Sequence, residues 1–138
     1  RPEESRLPRM IPPGLILAAL AALLHVYIFY MESIAWTSRS VRATFGLTEA
    51  EAEATKEMAF NQGFYNLFLA IATGIGIGLY LAGHDAAGAA LVLAGIGSMT
   101  AAALVLFLSS PAKRGAALKQ GVIPLLGVAA ITIGLIVR

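Results

Sequence analysis

Four apolar runs, at about residues 13–36, 58–81, 86–108 and 121–137, follow one another along the chain, and every charged residue except Glu32 lies outside them. Each run approaches or exceeds the roughly 17–25 residues that carry a helix across about 30 Å of hydrocarbon. The runs are continuously apolar rather than alternating, so they predict helices and not the strands of a barrel. The expected fold is therefore all-α: an integral membrane bundle of four transmembrane helices, forming a single domain over residues 1–138.

The links differ in character. His84 and Asp85 leave only a tight turn between the second and third runs, and Ser109 to Lys119 joins the third to the fourth. The link 37–57 is the only one large enough to hold structure. Within it Thr48 and Glu51 form a T-x-x-E capping box, which satisfies free backbone N–H groups at a helix start. Glu49, Glu51 and Glu53 add a favourable interaction with the helix dipole. The second helix is thus expected to begin near residue 49 and to run for about 50 Å, well past the membrane.

Composition agrees with this pattern. The chain of 138 residues is 58% hydrophobic and 13% charged, against about 25% charged in an ordinary soluble domain. The formal net charge of +2 is carried in short clusters with no basic stripe, so no nucleic-acid partner is expected. The absence of cysteine excludes disulfides and thiolate chemistry. The first run follows Arg1, Arg6 and Arg9 as a leader peptide would. Its length, its aromatics and the lack of a small-x-small cleavage site instead mark an anchor that stays.

Lys and Arg distribution sets the expected orientation. Arg39, Arg42, Lys56, Lys113, Arg114 and Lys119 lie on one side, and Arg1, Arg6, Arg9 and Arg138 on the other. The positive-inside rule then places the link 37–57 in the cytoplasm and both termini outside, in a multi-pass protein of the cell membrane. The partners expected are the lipid bilayer and, through the G-x-x-x-G pair Gly74 and Gly78, a second copy of the chain. The same glycines would equally serve close packing within one bundle.

Polar residues inside a membrane helix are candidates for function. His25 and Glu32 are seven residues apart, two helical turns, and Trp36 follows four further on. Tyr27 lies nearby at another angle. The second helix offers Asn61, Gln62, Tyr65 and Asn66 at matching depth, and Gln120 stands at the start of the fourth. Glu32, Asn61 and Gln62 are expected within direct or one-water hydrogen-bonding reach. One His and one Glu are too few ligands for zinc, so no metal is expected, and no cofactor. No triad geometry suggests itself around His25, and catalytic residues stay unassigned.

Three stretches carry a family likeness: His25-Val26-Tyr27-Ile28-Phe29-Tyr30-Met31-Glu32 with Trp36-Thr37, then Phe45-Gly46-Leu47, then Asn61 through Ala70 in the order NQGFYNLFLA. Together with Gln120-Gly121-x-x-Pro124 they resemble the bacterial domain of unknown function 1304 family. The resemblance covers most of the chain and departs from it in the extension Arg1 to Pro12 and in the Ala- and Gly-rich third run. It implies a small four-helix membrane protein and supports the same site residues, but it supplies no activity. The sequence points first to a transporter-like or small-molecule-binding protein, in which Glu32 would take up a cation or proton. An accessory subunit of a larger membrane complex and a membrane-embedded enzyme on a lipid-like substrate are the alternatives.

Overall fold

A computed structural model describes residues 10–137, so the expectations resting on Arg1, Arg6, Arg9 and Arg138 lie outside the described residues. The first helix, α1 (Ile11–Phe29), opens with Pro12 and Pro13 in its first turn, where a missing N–H costs nothing. It widens into a π-helical turn over Tyr30–Ile34, closed by a bond from the Ala35 N–H to the Tyr30 carbonyl at 2.9 Å. The helical path stops at Ile34, two residues short of the expected end, and Trp36 lies in the turn beyond.

A short helix, α2 (Arg39–Phe45), fills the long link. Ser38 accepts a hydrogen bond from the Val41 N–H at its start, and Gly46 ends it at φ 68°, a conformation that glycine adopts without strain. The next helix, α3 (Glu49–Leu81), is 33 residues long. Its cap is Thr48, whose hydroxyl oxygen accepts from the Glu51 N–H at 3.1 Å and donates to the Glu51 carboxylate at 3.0 Å. We expect Thr48→Ala to cost about 1 kcal/mol at this end, read as faster hydrogen exchange over residues 49–56. Unchanged exchange there would show that packing, and not the cap, sets the start of α3.

A turn through Gly83, at φ 94°, leads to α4 (Asp85–Ser109). A single 3₁₀ turn, Pro111–Lys113, then leads to α5 (Arg114–Ile136). This last helix starts seven residues before the expected Gly121. Residues 114–120 are rich in Ala, Leu, Lys and Gln, good helix formers, so the helix outruns the apolar stretch that marks the membrane. Arg114 braces that start: its Nε donates to the Phe107 carbonyl at 3.0 Å, and its guanidinium lies 4.8 Å from the centre of the Phe107 ring.

Among the described residues, four helices are long and apolar enough to cross a membrane: Ile11–Ile34, Glu49–Leu81, Asp85–Ser109 and Pro111–Ile136. They form a square in which α1 packs on α3 and α5, and α4 packs on the same two from the opposite corner. The interior of one half is a dry cluster of Ile11, Ala18, Ala21, Val92, Ile96, Met99 and Ile131. The outer faces carry large apolar side chains such as Leu23, Phe68, Ile75, Leu108 and Leu125. A surface of that kind is suited to lipid, as in a multi-pass membrane protein.

Glycine decides how closely α3 and α4 approach. A Cβ at Gly76 would stand 2.7 Å from the Val92 N, and one at Gly88 would overlap the Tyr80 backbone and stand 2.8 Å from the Gly76 oxygen. Gly74 and Gly78, in contrast, are exposed, and a Cβ added at either would meet no other element within 4 Å among the described residues. The close backbone approach of α3 and α4 therefore belongs to Gly76 and Gly88, while the G-x-x-x-G pair faces outward.

Candidate functional site

All four long helices contribute to a cavity of about 440 Å³ in the half of the bundle nearest the long link. His25 reaches it from α1, Glu32 from the π turn, Gln62 and Asn66 from α3, and Gln120 from α5. Met99 and Leu106 of α4 supply apolar wall. Trp36 and Phe45, with ring centres 5.0 Å apart, close it on the link side, and exposed Lys113 stands at its mouth.

Glu32 is only 7% exposed. Its Oε1 accepts a 2.6 Å hydrogen bond from Asn66 Nδ2. The π turn positions this carboxylate, and π turns often mark functional positions because the widened turn re-aims a side chain. Two features of α3 hold the turn close: the Ser33 hydroxyl donates to the Phe60 carbonyl at 2.7 Å, and Gly63 leaves room beside it. A Cβ at Gly63 would overlap Ser33 Oγ and stand 3.0 Å from the Ser33 N, so the approach requires glycine.

His25 is 3% exposed, with Nδ1 2.9 Å from the Ala21 carbonyl oxygen. A carbonyl can only accept, so the proton sits on Nδ1, and in the neutral ring Nε2 is the acceptor. No protein group bonds Nε2 among the described residues, and it is not sealed in the interior, so it meets the cavity. Trp36 Nε1 donates to Thr55 Oγ1 at 3.0 Å, and the Thr55 hydroxyl donates to the Glu51 carbonyl at 2.7 Å. That chain ties the cavity roof to the N-terminal part of α3. Pro124, buried in α5, has no N–H, so the Gln120 carbonyl lacks its usual partner one turn on.

Of the residues expected at a site, His25, Glu32, Trp36, Gln62, Asn66 and Gln120 converge on this cavity, and Tyr27, Asn61 and Tyr65 do not. Asn61 and Tyr65 each precede a cavity residue by one position, which on a helix is a rotation of about 100°. Both are exposed on the outer face of α3. Tyr27 is 55% exposed and packs on Tyr30, with ring centres 6.3 Å apart. The sequence places Glu32, Asn61 and Gln62 within reach of one another; the bond to Glu32 is instead made by Asn66, Gln62 shares the cavity, and Asn61 lies outside it.

Thr55, Phe45, Met99 and Lys113 are additional cavity residues. Thr55 could have been found by extending the stripe Ala59, Gln62, Asn66 one turn back along α3. The others come from elements whose rotation no local pattern reports. No cluster of three or more His, Asp or Glu side chains suited to a metal occurs among the described residues.

Over residues 19–132 the chain matches the sequence family described as Protein of unknown function (DUF1304). The chain belongs to that family. No curated protein and no solved structure matches it. The matched segment runs from within α1 almost to the end of α5 and so contains every cavity residue named above. Membership in the DUF1304 family carries no assigned chemistry, and any functional reading rests on the cavity itself.

Proposed function

We propose that this DUF1304 protein is a transporter-like, small-molecule-binding protein of the cell membrane, with the cavity around Glu32 and His25 as its binding site. One observation carries the reading: a buried carboxylate and a buried imidazole both line a cavity of about 440 Å³. Burying such groups is costly, which makes an ionisable residue inside a membrane helix a candidate for function. Ligand pockets begin at about 300 Å³ and place a few polar groups among apolar and aromatic walls, as here. An accessory subunit would have no need of such a space. Passage across the membrane would require the dry cluster of Ala18, Ala21, Val92 and Ile96 beyond the cavity to open.

The test uses thermal unfolding in detergent with a panel of solutes small enough for the cavity: amines, carboxylates and neutral alcohols on a common phenyl frame. Ala59 is buried on the cavity wall, and Ala59→Phe should fill it. At least one class should raise the midpoint of the natural protein and leave Ala59→Phe unmoved, provided the variant keeps a cooperative transition. Stabilisation of neither protein, or equal stabilisation of both, would remove the cavity as a binding site.

The proposed orientation puts the link 37–57 in the cytoplasm, since Arg39, Arg42, Lys56, Lys113, Arg114 and Lys119 share that side. The chain has no cysteine, so single replacements give a clean readout. A membrane-impermeant maleimide applied to intact cells should label His84→Cys and leave Glu53→Cys unlabelled until the cells are lysed. The reverse labelling would invert the topology.

A further inference from the structure

We infer that the ligand of this cavity is a protonated primary or secondary amine, recognised through its N–H donors, rather than a neutral, anionic or quaternary ammonium solute. The inference rests on the binding reading above and adds the chemistry of the ligand. An ionised carboxylate has about four acceptor positions. Glu32, more than nine-tenths buried, receives one hydrogen bond among the described residues, that of Asn66. Two basic side chains share cavity walls with Glu32, exposed Lys113 in this cavity and Lys56 in a neighbouring one, and neither makes an ion pair with it. A carboxylate taken out of water normally needs a paired cation and further hydrogen bonds. Glu32 therefore presents an acceptor surface that the chain leaves incomplete.

The second buried polar group has the same polarity. Because Nδ1 of His25 donates to the Ala21 carbonyl, the neutral ring turns a bare acceptor, Nε2, to the cavity. The two groups lie two turns apart on one helix, roughly 10 Å at 1.5 Å per residue, so a single headgroup pairs with Glu32. That anionic acceptor matches a group that brings both positive charge and several N–H bonds. An ammonium headgroup does so. A carboxylate or phosphate would meet Glu32 with like charge, and an alcohol would bring one donor and no charge.

The aromatic wall fits the same ligand. The polar edge of Trp36 is occupied by Thr55, which leaves its ring, beside Phe45, for cation–π contact. That contact does not need N–H groups, so a quaternary ammonium separates the two contributions. It keeps the charge and the cation–π attraction and loses the hydrogen bonds to Glu32.

The experiment measures binding to the full chain in detergent by calorimetry, with four probes on one frame at neutral pH: benzylamine as its ammonium ion, benzyltrimethylammonium, benzyl alcohol and benzoate. Benzylammonium should bind at least about tenfold more tightly than the other three, the scale of one charge-assisted hydrogen bond. Glu32→Gln should weaken benzylammonium by a similar factor and benzyl alcohol by much less, while Tyr27→Phe, outside the cavity, should change neither. Equal binding of benzyltrimethylammonium would assign recognition to Trp36 and Phe45 and overturn the inference. Tighter binding of the alcohol or benzoate would overturn it too, while leaving the cavity a binding site. Binding of no probe by the natural protein would count against both readings.

Discussion

Gly88→Ala is expected to destabilise the bundle by about 1–3 kcal/mol, the usual range for one extra group forced into a packed interface. The added Cβ would overlap the Tyr80 backbone N and stand 2.7 Å from the Tyr80 Cα and 2.8 Å from the Gly76 oxygen. These are backbone atoms of a helix and cannot rotate away as a side-chain end can. Relief would require α3 and α4 to separate, which would also strip contacts from Val92 and Ile96 in the dry cluster. In lipid, such close packing is the main force holding helices together, because the tails are as apolar as the interface. Thermal unfolding in detergent gives the test, with Gly74→Ala and Gly78→Ala as references, since an added Cβ at either would meet no other element within 4 Å among the described residues. A midpoint for Gly88→Ala level with those two would show that α3 and α4 are not held at this distance. A change of oligomeric state in Gly74→Ala or Gly78→Ala alone would locate a second copy on the outer face.

The second large effect concerns the bond between Asn66 and Glu32. Asn66→Leu keeps the volume and removes the protein donor that the Glu32 carboxylate has. Leaving a buried acceptor unpaired costs about 1–3 kcal/mol, more when it is charged. Replacing both partners with apolar groups of similar shape removes that cost. The double variant Glu32→Leu with Asn66→Leu should therefore be more stable than Asn66→Leu alone, although it carries one more substitution. A cycle of the two single variants and the double one measures the coupling. Additive losses would mean that the two side chains do not interact in the folded protein. The double variant should also lose amine binding, which separates the stabilising role of the pair from its use as a site.

Much of the candidate site can be read from the sequence because the membrane makes polar residues conspicuous. His25 and Glu32 stand out in an otherwise apolar run, and their spacing of two turns places them on one face whatever the neighbouring helices do. The sequence also holds Asn66 and Gln120 as polar residues near helix positions of the right depth. It does not say which of Asn61, Gln62, Tyr65 and Asn66 turns inward. Depth along a helix follows from counting residues, whereas rotation about its axis depends on which face meets a neighbour. Gly63 settles that rotation by admitting the π turn at Ser33, and this brings Asn66, rather than Asn61, to the carboxylate.

The sequence by itself determined the four spans, the all-helical architecture and the capped start of α3, because hydrocarbon length, backbone hydrogen bonding and a local T-x-x-E box are properties of contiguous residues. The π turn is different: it depends on Ser33 reaching the Phe60 carbonyl of another helix. The early start of α5 is braced by Arg114 on Phe107, a contact across a turn that the apolar pattern does not register. The roof of Trp36 and Phe45 and the place of Lys113 at the mouth also come from segments far apart in the chain. Only the tertiary structure decided these features, since each depends on the distance and rotation between elements, and those are set by packing rather than by the periodicity of any one helix.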